Sequence, residues 1–539
     1  MKAAIKPGSK FAPNRFGPSR SSVMCRNGAI ATSQPLATLA GLRAMQEGGT
    51  ATDAAVTAAA VLNVIEPMST GIGGDMFALL YDARSKSVTA INGSGRSPSA
   101  ATYAEVKRRL NGQQFPVLGP LTWMVPGTVD GWVTALHRGG RMTLHEVLLP
   151  AIRMAEEGFA VAPQTAATWA GYEAILRQQW DSAQTWLMNG ERAPRPGELF
   201  RCPQLAATLR DIAEGGRGAF YQGAVAEDLV KFSEEAGGLL AFDDLAQHTT
   251  DIVEPLQASY RGIEVLAFPP NSQGVAALEA LSILDGFDLL AMGFGSGELL
   301  HLQIEAMKVA LADAFATVAD PAQSDATALL EQSRVASNRA RISQAAQPAC
   351  HAAATDGDTV YICCVDKEGN AASFINSVYM PWGSGYTAGN TGILLQNRAH
   401  CFSLDERSPN AFGANKRSRH TLAPALLMSD GRPLMVFGFV GGDMQVQAQV
   451  QFVCNVIDFG MNVQEAMDAP RWRYEAASKE VAVERGFSDG TTSDLTNRGH
   501  HLIGEQGFFG GGQAILVDRE FGTLQAGSDS RRDGCAIGY

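Results

Sequence analysis

The sequence is poor in the features that mark membrane, secreted and nucleic-acid-binding proteins. Its 43 basic residues stand against 55 acidic ones, so the formal charge of -12 leaves no basic footprint for nucleic acid or anionic lipid. No stretch reaches the roughly 18 apolar residues of a membrane-spanning helix, and residues 1–22 lack an apolar run of signal-peptide length. We therefore expect a cytoplasmic protein that acts on small molecules.

Signals for metals and cofactors are also scarce. The eight cysteines form no CxxC pair and have no histidine at metal-ligand spacing, so we interpret them as reduced thiols. The glycine-rich stretches GIGGD and GFFGGGQ lack the spacing of a dinucleotide fingerprint or a P-loop. We interpret the first as a wall of an active site and the second as a turn before a strand, and we expect no cofactor and no metal.

What is present is the composition of a large α/β enzyme. At 539 residues, with 45% hydrophobic residues and 57 glycines, the chain predicts either two domains or one large multilayer domain. Apolar spacing predicts helices over 34–49, 53–64 and 298–319. Alternating apolar residues predict strands over 76–82 and 87–92.

The composition changes abruptly near residue 358. Residues 321–358 are rich in Ala, Ser, Gln and Asp, which predicts a mobile tether. Residues 359–366 then predict a strand, 367–370 (KEGN) its turn, and 371–378 the returning strand. A β-rich second half begins at Thr359.

A series of motifs in the second half is specific to one family. In chain order they are GDTVYICCVDKEGNAASF, GSGYTAGNTGILLQNR, SRHTLAPALLMSDGRP, GGDMQ and DFGMNVQEAMDAPRW. They resemble the small subunit of γ-glutamyltransferases over its whole length. The first half agrees through EGGTATDAAVTAAAVLNVIEPMSTGIGGD, GRSP, VPGTVDGW and PPNSQG, so the resemblance covers nearly the entire chain from Gly28 onward.

The resemblance implies an α/β fold of the N-terminal nucleophile hydrolase type, a four-layer αββα sandwich. It implies a precursor that cuts itself between Asp358 and Thr359 into a large subunit (1–358) and a small subunit (359–539). The two fragments would associate into one structural domain that takes a small-molecule amide substrate. Whether that unit pairs further into a homodimer is left open.

Thr359 is the candidate nucleophile. A threonine hydroxyl alone is a poor nucleophile, but the α-amine of an N-terminal threonine accepts its proton, so one residue supplies both nucleophile and base. No histidine is then needed, in keeping with a chain of only nine histidines. The alternative is that Thr359 only starts a strand after a Gly-Asp turn, which is a common place for threonine.

Three further features are assigned by the resemblance. Gly441 and Gly442 would form the oxyanion hole, since paired glycines let backbone N–H groups approach an oxyanion. Arg96 would clamp a substrate carboxylate with its planar fork of donors. Ser377 would support the Thr359 hydroxyl. The alternatives are an ordinary tight turn, a surface arginine and a solvent-facing serine.

Departures from the family pattern fall in the substrate pocket. Members that act on glutathione use Asn, Gln, Asp and a pair of serines to hold the glutamyl group. The residues at those positions here are Tyr379, Arg398, Cys401, His420 and Thr421. A substrate ammonium group would lose its acidic partner and face Arg398, which is unfavourable. We therefore hypothesise an acyl group with a carboxylate and no free α-amine, as in an oxamate, glutaryl or cephalosporin-type amide.

Two competing interpretations remain. The GFSDG motif around Ser488 satisfies the GxSxG pattern of a serine-hydrolase elbow, although little chain follows it to supply the acid and histidine. The altered pocket is also compatible with an uncleaved, non-catalytic relative that serves as a binding protein. Retention of Thr359, Arg96 and the glycine pair argues against that second alternative.

Overall fold

The structure is a computed structural model, and it describes residue 16 and residues 19–347, 357–505 and 508–539. In chain order its strands are β1 (Val23–Cys25), β2 (Ala29–Thr32), β3 (Asp75–Asp82), β4 (Ser87–Gly93), β5 (Phe159–Ala160), β6 (Leu199–Phe200), β7 (Asp251–Val253), β8 (Leu256–Tyr260), β9 (Ile263–Ala267), β10 (Asp358–Val365), β11 (Ala371–Tyr379), β12 (Ala425–Ser429), β13 (Arg432–Val440), β14 (Trp472–Glu475), β15 (Glu480–Val483), β16 (Gly511–Asp518), β17 (Thr523–Ser528) and β18 (Cys535–Gly538).

The α-helices alternate with these strands. In chain order they are α1 (Pro35–Gln46), α2 (Ala51–Ile65), α3 (Tyr103–Leu110), α4 (Thr128–Gly139), α5 (Leu144–Glu157), α6 (Pro163–Gly171), α7 (Glu173–Leu176), α8 (Trp180–Trp186), α9 (Pro203–Tyr221), α10 (Ala224–Glu235), α11 (Phe242–Ala246), α12 (Val275–Leu284), α13 (Leu289–Met292), α14 (Gly297–Thr317), α15 (Gln332–Arg341), α16 (Met444–Ile457), α17 (Val463–Asp468) and α18 (Asp489–Asn497). Across the described residues, no helix combines the length and apolarity needed to cross a bilayer.

Two seven-stranded antiparallel sheets form the centre of the molecule. One has the strand order β1-β17-β16-β13-β12-β9-β8 and the other β18-β2-β10-β11-β3-β4-β7. Their facing sides share one apolar core, in which Phe77 and Tyr361 meet Val436 and Ile515. Helices α1, α2, α4 and α5 cover the outer face of the second sheet, and α12, α14 and α16 cover that of the first. The predicted four-layer αββα arrangement is confirmed.

The parts of the chain before and after Thr359 are interleaved. Strand β10, which starts at Asp358, lies between β2 and β11, and β11 in turn pairs with β3. Both sheets therefore take strands from both parts. The buried strands read as almost continuous apolar runs because helices cover one face of each sheet and the other sheet covers its second face.

The predicted tether is wrong over much of its length. Residues 321–330 contain two short 3₁₀ turns, and α15 follows them. Leu329 and Val335 are buried in the core beneath α12 and α14, which anchors this segment despite its polar composition. Residues 348–356 of the predicted tether lie outside the described residues. The five helices and strands predicted between residues 34 and 319 are confirmed to within a few residues.

Candidate active site

The candidate nucleophile lies at the start of a buried strand, against the carbonyl group that precedes it. Thr359 is 2% exposed, and its Oγ1 lies 2.6 Å from the Asp358 carbonyl oxygen. The Ser377 hydroxyl on β11 donates to the same oxygen at 2.8 Å and lies 3.3 Å from Thr359 Oγ1. It also accepts the Tyr379 amide at 2.7 Å. The structure therefore brings Thr359 and Ser377 together, as the resemblance implied.

The pairing of β10 with β11 is irregular only beside the bond between Asp358 and Thr359. Asp358 pairs with Tyr379 and Val360 with Asn376, so the register shifts by one residue at Thr359. A bulge of this kind re-aims a side chain and is often found beside active sites. Tyr379 closes the strand with a φ of 82°, which is unusual for a residue with a side chain.

The glycine pair lies beside the residue that precedes Asp358. Gly441 and Gly442 follow directly after β13 and have φ values of 114° and 59°, a backbone region that favours glycine. A Cβ atom on Gly357 would lie 3.1 Å from Gly442 Cα and 3.3 Å from its amide nitrogen. Helix α16 begins at Met444, so its N-terminal end also favours negative charge here. Gly442 therefore lies next to the segment that leads into Thr359, and the oxyanion-hole role of the pair stays a prediction.

The side chain of Asp358 is held by two groups that the sequence analysis missed. The Ser69 hydroxyl donates to its carboxylate at 2.7 Å, and the Arg532 guanidinium bonds its other oxygen. Arg532 lies over the Phe508 ring, 4.4 Å from the centroid. Ser69 stands inside a motif of the resemblance, in the MST of EPMSTGIGGD, and Arg532 lies near the C-terminus, but only tertiary structure places them together at Asp358.

The pocket residues predicted around Arg398 do meet. Its guanidinium stacks on the Tyr379 ring at 4.3 Å, and its Nη1 donates to Thr421 Oγ1 at 3.1 Å and lies 4.0 Å from Cys401 Sγ. Asp75, from the GIGGD motif, lies 3.8 Å from Nε. Arg398 is 1% exposed, yet its Nε and Nη2 have no hydrogen-bond partner within the described part of the chain. Two buried N–H donors are thus available to a ligand.

His420 completes this group as a neutral side chain. Burial, reinforced by the charge of Arg398, lowers the pKa of His420 to about 3. Its Nε2 donates to Asp75 at 3.1 Å, while its Nδ1 accepts the Leu422 amide at 3.3 Å. Asp75 also accepts the Gly95 amide at 2.9 Å. The GIGGD stretch, which was predicted to form a wall of the site, therefore contributes the buried carboxylate of Asp75. The sequence analysis did not identify a role for this residue.

Arg96 does not join the group around Thr359 in this structure. Its side chain is 34% exposed and pairs with Asp251 at 3.4 Å. Arg417 bonds the same carboxylate. Arg96 also lines a cavity of about 440 Å³ together with His248. The resemblance predicted that Arg96 binds a carboxylate of the substrate. In the structure the Arg96 guanidinium pairs with the carboxylate of Asp251.

The serine-hydrolase alternative at Ser488 is wrong. Ser488 caps helix α18, because its Oγ accepts the Thr491 amide at 3.1 Å and contacts Thr491 Oγ1 at 2.9 Å. The nearby His500 bonds His301 at 2.8 Å instead. The Ser488 hydroxyl therefore caps a helix. Its contacts in the described ranges include neither a general base nor an oxyanion hole.

One group of side chains has the composition of a metal site. His301, Glu305 and His500 place ligand atoms within 4.8 Å of one another. His301 also bonds the Ser343 carbonyl oxygen at 2.7 Å, and Lys308 donates to Glu305 at 2.7 Å. These bonds occupy both ring nitrogens of His301, the Glu305 carboxylate and the Nε2 of His500, so we interpret the group as a contact between α14 and the loop that carries His500.

Comparison with known proteins identifies the family of this chain. A family model described as gamma-glutamyltranspeptidase matches residues 37–539. The chain belongs to this family. It is 38% identical over 514 residues to the glutathione hydrolase-like proenzyme of Bacillus subtilis, with 93% of this chain and 97% of the relative covered. It is 33% identical over 534 residues to the oxamate amidohydrolase proenzyme of Klebsiella pneumoniae, with 96% and 100% covered.

A solved structure extends the likeness to the fold. The cephalosporin acylase from Bacillus halodurans matches with a TM-score of 0.91 and 38% identity, covering 98% of this chain and 99% of the acylase. The γ-glutamyltransferase-family relatives are hydrolases and transpeptidases that act on amide bonds. The chain is accordingly an enzyme that acts on amide bonds, and not the non-catalytic relative considered from the sequence. The word proenzyme in the relatives' names fits a precursor whose fragments stay associated.

Proposed function

We propose that this γ-glutamyltransferase-family enzyme cuts itself before Thr359 and then hydrolyses amides of carboxylate-bearing acyl groups. The observation that carries the proposal is the contact of Thr359 Oγ1 with the Asp358 carbonyl group, beside Ser377 and the glycine pair. Attack of the hydroxyl oxygen on that carbonyl carbon forms an ester as the C–N bond breaks, and the hydroxyl proton passes to the Thr359 nitrogen, which becomes an amine. Water then opens the ester, freeing the hydroxyl and the α-amine.

In the cut enzyme the same hydroxyl attacks the substrate amide. The free α-amine of Thr359 takes the hydroxyl proton and passes it to the leaving amine. Backbone N–H groups of Gly441 and Gly442 would stabilise the oxyanion in a site from which water is largely excluded. Water then releases the acid from the acyl-enzyme. We propose hydrolysis as the main reaction, with water as the acyl acceptor.

Arg398 supports the choice of acyl group. Its Nε and Nη2, which make no hydrogen bond within the described residues, fit the two oxygens of a carboxylate. Asp75, the nearby acid, already accepts from Gly95 and His420 and lies 3.8 Å from Arg398. A substrate ammonium group would therefore compete with these contacts. We propose an acyl group such as glutaryl or oxalyl and not γ-glutamyl.

The test begins with a denaturing gel and intact mass of the purified protein. Wild type should give fragments of about 38 and 19 kDa, the shares of 57.1 kDa on either side of the cut, with Thr359 as a new N-terminus. Thr359→Ala should stay whole, whereas Ser488→Ala, which removes only a helix cap, should be cut like wild type. An uncut wild-type chain after prolonged incubation would contradict the proposal.

The substrate is tested on the cut enzyme with three anilides. Glutaryl-anilide should be hydrolysed with a lower KM than acetyl-anilide, because only the first carries a carboxylate for Arg398. γ-Glutamyl-anilide has the same carboxylate as glutaryl-anilide and adds only an α-ammonium group. Hydrolysis of γ-glutamyl-anilide with a kcat/KM above that of glutaryl-anilide would contradict the proposed acyl group while leaving the self-cleavage intact.

Location and assembly are part of the proposal. A cytoplasmic location is supported by the seven cysteines of the described ranges, which are all free thiols. Fractionation of the source cells tests it. A homodimer of the two-fragment unit stays a prediction, and light scattering of the cut protein at several concentrations would detect it.

A further inference from the structure

The carboxylate of Asp358 occupies a ready-made anion site in the uncut chain. Three donors converge on it: the Ser69 hydroxyl at 2.7 Å, the Thr359 amide at 2.9 Å and the Arg532 guanidinium. The Arg532 guanidinium lies over the Phe508 ring, and its Nε has no hydrogen-bond partner anywhere in the described ranges. The side chains of Asp358 and Arg532 are 6% and 15% exposed. This is a built carboxylate site with one donor still unused.

Asp358 can fill that site only before the cut. Gly357 packs directly against Gly442, so residues 357 and 358 cover the amide that would bind a substrate oxyanion. A substrate therefore reaches Gly442 only after these two residues have moved away. Their departure takes the Asp358 carboxylate from Arg532 and leaves a largely buried guanidinium without its partner, a state that is costly.

The charged groups facing Arg532 do not replace that partner. Glu66, from the end of α2, interacts with Arg532, but its carboxyl bonds Ser33 at 2.7 Å, and burial raises its pKa to about 7. Asp529 is bonded by Arg471 at 2.6 Å and by Arg531 at 3.1 Å. After the cut, Arg532 and Ser69 are the groups most in need of an anion.

We infer that Arg532 and Ser69 form a carboxylate subsite for the amine side of the substrate, first filled by Asp358 and then by the substrate. The Asp358 carboxylate lies 2.9 Å from the Thr359 nitrogen, the atom that becomes the α-amine and delivers the proton to the leaving amine. A carboxylate bound there thus belongs to the leaving amine.

The substrate class follows from the two guanidinium groups. Arg398, with Tyr379 and Thr421, shares no contacting side chain with the Arg532 group in the described residues, so the two sites take separate carboxylates. The substrate is then an N-acyl amino acid with one carboxylate on the acyl group and one on the amino acid. This assignment rests on the proposed amide hydrolysis by free Thr359.

The test measures binding, so that it does not depend on turnover. The probes are N-acetylglycine, which has a carboxylate on the amine side only, and its neutral amide, N-acetylglycinamide, each titrated calorimetrically into cut wild-type enzyme. We expect the acid to bind about tenfold more tightly than the amide, and Arg532→Gln to remove that preference. Arg407→Gln, on an exposed loop, is the matched control and should retain it.

Two further variants keep the inference falsifiable if Arg532→Gln fails to fold or to cut. Ser69→Ala should weaken binding of the acid by about threefold to tenfold without affecting the amide. The uncut Thr359→Ala chain should not bind the acid, because Asp358 still fills the subsite. Equal binding of acid and amide to cut wild type, full binding to the uncut chain, or loss of binding in Arg398→Gln instead of Arg532→Gln would each overturn it.

These outcomes separate the subsite from the proposed function. If the cut enzyme binds N-acetylglycine through Arg532 but hydrolyses no amide, the proposed function fails and the subsite stands. If it hydrolyses glutaryl-anilide but shows no preference for the acid probe, the subsite fails and the function stands.

Discussion

At the scale of single residues, the site is defined by what touches the Asp358 carbonyl oxygen. Ser377 donates to it at 2.8 Å, whereas no bond of that kind from Gly441 or Gly442 exists in the described part of the uncut chain. The hydroxyl that supports self-cleavage thus differs from the amides that would support substrate hydrolysis. The two reactions can be separated by mutation.

Ser377→Ala is therefore expected to slow self-cleavage by about a hundredfold, the usual cost of one oxyanion donor. Ser377→Thr keeps the hydroxyl and should cut at a rate close to that of wild type. The measurement is the time course of the 57.1 kDa band during refolding or expression. Cutting of the alanine variant at the wild-type rate would show that the bond to the carbonyl oxygen is not used.

Arg398 gives a prediction about substrate choice. Arg398→Lys retains the charge but loses the planar fork and the stacking on Tyr379, so KM for glutaryl-anilide should rise about tenfold. KM for acetyl-anilide, which has no carboxylate, should change less than twofold, an expectation that follows from the same reasoning. A parallel rise for both substrates would indicate a general disturbance of the pocket.

At the scale of elements, the distance between the two sheets is set by a glycine. Gly438 on β13 faces Tyr361 on β10, and a Cβ atom there would lie 2.4 Å from the tyrosine ring. The Tyr361 hydroxyl bonds Ser373 at 2.7 Å, and Ser373 accepts the Ala425 amide from the other sheet at 3.1 Å. The ring therefore has little freedom to move.

Gly438→Ala should accordingly lower the free energy of unfolding by about 1–3 kcal/mol through overpacking. Gly218→Ala, in a helix with open space around the new methyl group, is the control and should be neutral or slightly stabilising. Chemical denaturation of the uncut Thr359→Ala background measures both. A neutral effect at Gly438 would mean that the sheets separate easily.

The outer helical layer carries a pH-dependent weakness at Glu279. It is fully buried on α12, with one carboxyl oxygen bonded by Asn338 at 2.9 Å and the other without a partner in the described chain. Burial, then the charge of Asp313, raises the pKa of Glu279 from 4.5 to about 8. The folded state holds the proton more tightly than the unfolded state.

The stability that this proton provides is complete below pH 4.5 and is lost as the pH rises toward 8. Glu279→Gln, which is always neutral, should therefore gain stability relative to wild type over this range, by up to about 1.4 kcal/mol per pH unit. Thermal unfolding at pH 5, 6.5 and 8, all within or at the edge of that window, measures the difference. A difference that does not change with pH would contradict a buried, protonated Glu279.

At the scale of the whole molecule, the interleaved strands determine what the cut does. Strand β10 begins at Asp358 and lies between strands β2 and β11, so a cut after Asp358 falls at the N-terminal end of an interior strand in a sheet that both fragments build. Such a cut would break one peptide bond and, of the residue pairs of β10, could release only that of Asp358 with Tyr379.

The two fragments are thus expected to co-elute as one particle on gel filtration and to unfold in a single transition, although they separate on a denaturing gel. Urea that releases one fragment while the other keeps its native circular dichroism would contradict this. The uncut Thr359→Ala chain is the control for size and transition midpoint.

The sequence by itself, through contiguous motifs that resemble one family, predicted the layered fold, which the structure confirms. The same motifs identified the candidate nucleophile, cleavage point and glycine pair, whose roles stay predictions. The sequence misjudged residues 321–341, where two buried apolar side chains outweigh a polar composition. Only the tertiary structure decided that Arg96 turns to Asp251, that Asp75 lies beneath His420, and that Ser69 and Arg532 meet at Asp358. Those contacts join residues up to several hundred positions apart, and side-chain direction across such distances is set by packing, which no local pattern records.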